Sequence, residues 1–110
     1  MEQAEKLLSI DSPTGYGKYV MDYLLEELTR IGVKAERTIK GGVVADFGGR
    51  DAENGFLLEA HCDTLGAMVH QIKGNGRLQV TNIGGMNANN AEAENVRIIT
   101  KSGKIYEGTC

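Results

Sequence analysis

The sequence predicts an α/β fold that changes into β-hairpins partway along the chain, with both parts incomplete. First, apolar residues recur at helical spacing over residues 18–31, which predicts an amphipathic helix. Second, the run "FLLEA" at 56–60 is almost continuously apolar, which is typical of a strand buried on both faces of a parallel or mixed sheet. Third, alternating segments separated by glycine-containing turns follow residue 67, which indicates hairpins.

The elements before residue 67 can be justified in chain order. Residues 3–10 predict a short helix, and the following "DSPTGYG" predicts a turn in which Ser12 and Thr14 are candidates for helix capping. The helix at 18–31 is expected to stop at Gly32. Strands are predicted at "KAERTI" (34–39), "GVVADFG" (42–48) and the buried run at 56–60.

The remaining elements are predicted to be two hairpins. "AMVHQIK" and "RLQVTNI" flank the turn at 74–76, and "NVRIITK" and "KIYEG" flank a turn at 102–103. The polar, glycine-rich "GGMNANNAEAEN" between them is expected to be a loop. One substantial helix and one short helix cannot cover both faces of a sheet that holds a doubly buried strand. We therefore expect an incomplete domain over residues 1–67, followed by the start of a β domain over residues 68–110.

Composition excludes several classes of function. The chain has 110 residues, a formal charge of −3, no tryptophan and no basic stripe, so nucleic acid is not an expected partner. Its apolar runs are too short for a membrane span, and the acidic start does not resemble a signal peptide. Cys62 and Cys110 cannot build a disulfide framework, so we expect reduced thiols in a cytoplasmic protein.

His61 and Asp63 follow the predicted buried strand directly, where ligands bind in open α/β sheets. Residues i and i+2 of an extended chain point the same way, so both side chains can enter one cleft while Cys62 points elsewhere. A neutral imidazole can bind a divalent cation through one nitrogen and donate its other N–H to a carboxylate. The pair is therefore a candidate metal ligand with its orienting carboxylate.

From spacing alone, a structural interpretation stays open, with His61 at a strand end and Asp63 capping a turn. A zinc site needs three or four ligands, and the sequence offers no convincing partners. His70 is expected to be an exposed strand residue, and Cys62 a buried thiol. Glu59 is better explained as a partner of a neighbouring polar group, and the pair Glu26–Glu27 as a solvated helix face.

Three segments carry a resemblance to a known family: "SPTGYGKYVMDYLLEELTRIG", "GGVVADFGG" and "LLEAHCDTLGAMV". In this order and spacing they resemble the start of the glutamyl/deblocking (tetrahedral-type) aminopeptidases, a family also labelled cellulase M. The family pattern Ala-His-x-Asp-x-x-Gly-x-Met-Val matches the chain from Ala60 to Val69. The segment from 81 to 108 is similar to the next part of the family, so the resemblance covers nearly the whole chain.

The resemblance implies the start of a mixed-sheet, zinc-exopeptidase-like catalytic domain, followed by the beginning of an inserted all-β, barrel-like domain. It implies that His61 binds one of two divalent cations (zinc, cobalt or manganese) and that Asp63 is the catalytic residue that orients it. It also implies peptide substrates, a metal-activated water and large homo-oligomers. Thr14 and Gly15 would belong to a structural turn. The remaining metal ligands and the general base should lie after the inserted domain.

The functional hypothesis is therefore a fragment of a dinuclear metallo-aminopeptidase. The 110 residues alone would hold at most a weak partial metal site and would be inactive. The alternative is a non-catalytic remnant that acts as a binding or self-assembly module through its open hairpin edges. A related H-x-D exopeptidase or deacylase is a third possibility.

Overall fold

The computed structural model describes residues 2–51 and 53–110. The chain divides into two compact units, Met1–Gly66 and Ala67–Cys110. The described residues form a mixed α/β structure, as the sequence predicts. The assignment of residues 1–67 to a catalytic domain and of 68–110 to an inserted domain stays a prediction.

The first unit contains two helices and a hairpin. The elements are α1 (Glu2–Leu8), α2 (Lys18–Arg30), β1 (Lys34–Arg37) and β2 (Val43–Asp46). Strands β1 and β2 pair antiparallel, with Lys34 opposite Asp46 and Arg37 opposite Val43. The predicted helices and both of these strands are therefore present, with ends within a few residues of those expected.

Helix α2 stops where the sequence predicts, and its end is a Schellman motif. The N–H of Gly32 donates to the Thr29 carbonyl at 2.9 Å, and the N–H of Val33 donates to the Leu28 carbonyl at 2.9 Å. Gly32 has φ +78°, a left-handed conformation that costs glycine little. The start of α2 differs from expectation. Its N-cap is Gly17, with no side-chain hydrogen bond, so neither Ser12 nor Thr14 caps it.

Helix α2 contacts its neighbours through one buried apolar side chain and several polar ones. Val20 is 1% exposed. At the other end of the helix, the Gln3 amide donates to Glu27 at 3.0 Å. The Arg37 guanidinium on β1 donates to the Asp22 carboxylate and, at 3.3 Å, to the Lys18 carbonyl. These contacts tie both α1 and the hairpin to α2.

The prediction of a buried strand at 56–60 is wrong for this chain. Residues 55–65 have no regular secondary structure, and Phe56, Leu57 and Leu58 are 92%, 83% and 86% exposed. A strand needs hydrogen-bond partners on its edges, but β1 and β2 pair with each other in a two-stranded sheet. Nothing in the described part of the first unit covers this apolar run.

The second unit is built from hairpins. Strand β3 (Gly66–Ile72) pairs with β4 (Leu78–Ile83), and β5 (Asn95–Ile99) pairs antiparallel with β6 (Ile105–Thr109). The loop between the hairpins contains a 3-10 turn at Ala88–Asn90. Both predicted hairpins are therefore present, while the barrel of an inserted domain stays a prediction.

Among residues 2–51 and 53–110, no helix is long and apolar enough to cross a membrane.

Candidate metal centre

His61 and Asp63 make direct contact on the surface of the first unit. The Nδ1 atom of His61 lies 2.6 Å from Oδ1 of Asp63, and the two side chains are 88% and 56% exposed. A carboxylate in this position accepts a hydrogen bond from a neutral imidazole whose proton is on Nδ1, and in that tautomer Nε2 carries the lone pair. This is the arrangement in which an imidazole can bind a divalent cation while a carboxylate fixes its ring.

Burial alternates along the segment that carries this pair. His61, Asp63 and Leu65 are exposed, whereas Cys62, Thr64 and Gly66 are partly buried. The chain is therefore extended in its side-chain directions although it belongs to no sheet. The structure places His61 and Asp63 on one side and Cys62 on the other, as the spacing predicts.

Ser12 holds the opposite side of this segment. Its hydroxyl donates to the Cys62 carbonyl at 2.7 Å, and its N–H donates to Oγ1 of Thr64 at 3.1 Å. The Thr64 N–H donates back to the Ser12 carbonyl at 3.1 Å. Ser12 is 1% exposed, so water does not compete for these bonds. The local pattern around Ser12 predicts only helix capping, so this role could not be inferred from it.

A close packing contact lies next to these hydrogen bonds. A Cβ atom added at Gly66 would lie 2.5 Å from Cβ of Pro13, which real Cβ atoms essentially never do. Glycine is therefore required at position 66 to let the turn after Ser12 approach the H-x-D segment. The two motifs "SPTG" and "AHCDTLG", about 50 residues apart in sequence, form one structural unit.

The other candidate residues do not join the pair. Within residues 2–51 and 53–110, no group of three or more His, Cys, Asp and Glu side chains is arranged to hold a metal ion. His70 is exposed on β3 and Glu59 is exposed on the irregular segment. Burial raises the pKa of the Cys62 thiol, and the Asp63 carboxylate raises it further. The thiol is therefore protonated at neutral pH and is a poor metal ligand.

Asp63 also borders an open cleft of about 500 Å³ in the first unit. The turn at Ser12–Gly15 and the start of α2 form part of its wall, and Lys18, Arg37 and Lys40 add positive charge. A small molecule can therefore reach the carboxylate from solvent. Among the described residues, the His61–Asp63 pair has too few protein ligands to hold a zinc ion by itself. His61 supplies one donor, whereas a bound zinc ion needs three or four.

The first unit is thus an α/β unit that presents an exposed His-x-Asp pair, in direct contact, at the end of an extended segment. Comparison with known proteins shows the class of protein to which it belongs. Residues 41–110 match the model of the M42 glutamyl aminopeptidase family, and the chain belongs to this family.

Three relatives of the chain carry aminopeptidase names. The chain is 46% identical over 109 residues to YhfE of Bacillus subtilis (strain 168), which is provisionally named an aminopeptidase. It is 28% identical over 105 residues to the glutamyl aminopeptidase of Lactococcus lactis, and 27% identical over 106 residues to the lysyl aminopeptidase of Pyrococcus furiosus. The alignments cover 99%, 94% and 96% of this chain, but only 32%, 29% and 30% of the relatives.

Solved structures show the same relation. The aminopeptidase APDkam598 from the archaeon Desulfurococcus kamchatkensis matches 98% of this chain with a TM-score of 0.88 and 28% identity. The structure of PhTET1-12s, with a dodecamer in the asymmetric unit, matches 98% with a TM-score of 0.85; at 22% identity, it shows the fold alone. The chain spans about a third of each of these structures, 30% and 32%.

Proposed function

We propose that the chain is the N-terminal part of a dinuclear, metal-dependent aminopeptidase that removes N-terminal residues from peptides. The observation that supports this most directly is the 2.6 Å contact between His61 and Asp63, inside the segment that matches the family. The contact involves Nδ1, and because 88% of the His61 side chain is exposed, Nε2 is available to bind a cation. In this proposal His61 is a ligand of one of the two metal ions, and Asp63 is the catalytic residue that orients it.

The residues of this chain have limited but definite roles in that proposal. Asp63 accepts a hydrogen bond from Nδ1–H, which fixes the tautomer and makes Nε2 a better electron-pair donor to the metal. When bound, the cations (zinc, cobalt or manganese) would activate a water molecule and share the charge of the tetrahedral intermediate. The family resemblance implies that the general base and the other ligands lie further along a longer protein, and residues 2–51 and 53–110 contain no group of three or more His, Cys, Asp and Glu side chains that could hold a metal. The 110 residues are therefore expected to be inactive by themselves and to bind metal only weakly.

The test compares the 110-residue chain with a longer protein that starts with this chain and spans the full length of its relatives, of which the chain covers 29–32%. This protein is called the longer product. Both are assayed on a panel of aminoacyl p-nitroanilides, before and after removal of metal with a chelator. We expect activity only from the longer product, with loss after chelation and recovery after addition of zinc, cobalt or manganese. Activity of the short chain, or activity of the longer product that resists chelation, would contradict the proposal.

Two variants of the longer product test the assigned residues. His61→Ala should abolish binding of one metal equivalent, measured by elemental analysis after dialysis. Asp63→Asn keeps an oxygen beside Nδ1 but loses the charge, so we expect metal affinity to fall about 10–100-fold. His70→Ala is the matched control because His70 is exposed and lies on a hairpin strand. It should leave both metal content and activity unchanged.

The assembly of the protein is a separate part of the proposal. We propose a homo-oligomer in a cytoplasmic setting, supported by the dodecameric PhTET1-12s and by the composition. The non-catalytic alternative predicts that the 110-residue chain alone forms a defined oligomer with a cooperative melt that metal does not change. Light scattering coupled to size-exclusion chromatography of the 110-residue chain, with and without zinc, distinguishes the enzyme fragment from the non-catalytic remnant. A defined oligomer that is insensitive to metal favours the remnant.

A further inference from the structure

All three polar groups of Ser12 form hydrogen bonds to the segment that carries His61 and Asp63. Its hydroxyl, N–H and carbonyl contact only two residues there, Cys62 and Thr64, at 2.7–3.1 Å. The serine is fully buried, with 1% of its surface exposed. A buried hydroxyl is costly to leave without a hydrogen-bond partner, so this bond is expected to persist in the folded chain.

The position of the hydroxyl bond matters more than its strength. The carbonyl of Cys62 belongs to the planar peptide group that joins Cys62 to Asp63, and this group lies between the two candidate site residues. Fixing the carbonyl orients that peptide plane and restricts the rotations on either side of it. Those rotations determine how closely the Asp63 carboxylate approaches the His61 ring.

The His61–Asp63 contact needs such support because its own side chains are not packed. They are 88% and 56% exposed. An exposed hydrogen bond between two side chains competes with water and contributes little, so the pair cannot fix its own geometry. No regular strand supports the segment either, since residues 55–65 belong to no sheet. The contacts to Ser12 and the packing of Pro13 on Gly66 are the restraints that hold it.

We propose that Ser12 is a positioning residue for the metal site. Its buried hydroxyl locks the Cys62–Asp63 peptide, which holds Asp63 against Nδ1 of His61 and leaves Nε2 facing solvent for a divalent cation. The part of this inference that concerns metal binding rests on the proposed function. Its structural part, the dependence of the His61–Asp63 contact on Ser12, can be measured without any metal.

The first experiment measures the tautomer of His61 in the 110-residue chain by ¹⁵N NMR, at a pH at which the ring is neutral. The wild-type chain should show His61 mainly protonated on Nδ1. Ser12→Ala should shift the ring toward Nε2 protonation, which free imidazole side chains prefer. Ser9→Ala is the matched control, because the Ser9 hydroxyl also donates to a carbonyl, that of Glu5 at 2.7 Å, but far from the segment. The ring of His70 serves as an internal control.

The second readout is zinc binding, followed through the same His61 signals. Ser12→Ala should weaken the response to zinc by about tenfold, the lower end of the effect of residues that support a metal ligand. Ser12→Thr keeps the hydroxyl and should retain the wild-type tautomer. An unchanged tautomer in Ser12→Ala overturns the positioning role. A wild-type chain with the expected tautomer but no response of His61 even to a large excess of zinc contradicts the metal site and leaves the positioning role standing.

A third measurement needs no variant and covers the case in which Ser12→Ala does not fold. Low concentrations of urea are added to the wild-type chain while the Thr64 amide and the His61 ring are observed together. The Thr64 N–H donates to Ser12, so its protection from exchange reports whether the segment is held. The Nδ1 tautomer should be lost at the same urea concentration as that protection. A tautomer that persists after the protection is lost overturns the proposal.

Discussion

Substitution of Gly66 by alanine should loosen the segment that carries His61 and Asp63 without changing any polar group. The added Cβ would lie 2.5 Å from Cβ and 3.2 Å from Cγ of Pro13. Ordinary contacts at such positions are 3.4–4 Å, so Pro13 must retreat by about 1 Å. Because Pro13 follows Ser12 directly, this movement pulls on the hydrogen bonds that Ser12 makes to Cys62 and Thr64.

The expected cost can be bounded in two ways. If the segment stays in place, the overlap costs about 1–3 kcal/mol, as extra methyl groups do in packed sites. If the turn moves away, three hydrogen bonds of roughly 1 kcal/mol each are lost. Both routes give an upper value near 3 kcal/mol. We therefore expect the free energy of local opening at Thr64 to fall by about 1–3 kcal/mol, a decrease of roughly 5- to 150-fold in protection.

Native-state hydrogen exchange of the Thr64 amide measures this change directly. Gly55→Ala is the matched control, since a Cβ at Gly55 meets nothing within 4 Å and its φ is not positive. The control should change the Thr64 exchange rate by less than about twofold. Equal protection in Gly66→Ala and the wild-type chain would refute the close approach of Pro13 to Gly66. An unprotected Thr64 amide in the wild-type chain would refute the hydrogen bonds as well.

Two further predictions concern helix α2. Gly32→Ala places a side chain at φ +78° with open space around it, so the cost is purely conformational, about 1–2 kcal/mol; urea unfolding followed by circular dichroism should show it, and an unchanged midpoint would contradict the Schellman end. The hydrogen bond from Lys18, with help from the charge of Arg37, lowers the pKa of Asp22 below its ordinary 3.8. The Asp22 carboxylate therefore stabilises the fold above that value, and this contribution is lost as the pH falls through the lower, folded-state pKa. Asp22→Asn should reduce stability at neutral pH and flatten the acid side of the stability curve; parallel curves for the two proteins would contradict the pairing.

The parts of the fold that were predicted correctly depend on neighbouring residues. The end of α2 at Gly32 follows from one residue that tolerates a left-handed backbone, and the hairpins follow from glycines in their turns. The direction of His61 and Asp63 follows from the alternation of an extended chain. In each case the relevant interaction spans a few residues, so the local sequence is sufficient to predict the structure there.

The incorrect predictions concern interactions between distant residues. Ser12 matches the pattern of a helix cap, but its hydroxyl donates to the Cys62 carbonyl, 50 residues away. The requirement for glycine at Gly66 likewise comes from Pro13. No local pattern distinguishes a serine that caps a helix from one that holds a distant segment, because both need the same small hydroxyl side chain.

The error at residues 56–60 has a different cause, and it connects the fold to the metal site. Phe56, Leu57 and Leu58 have the composition of a buried strand, yet they are 83–92% exposed because the described part of the first unit offers them no partner. Burying each would contribute about 1.5–3 kcal/mol, so at most about 9 kcal/mol of stabilisation remains available to whatever covers them. His61 follows this run by only three residues. A segment that buries the run would thus lie beside His61, where the proposed metal site would need its further ligands. We therefore expect burial of this run and completion of the proposed metal site to occur together.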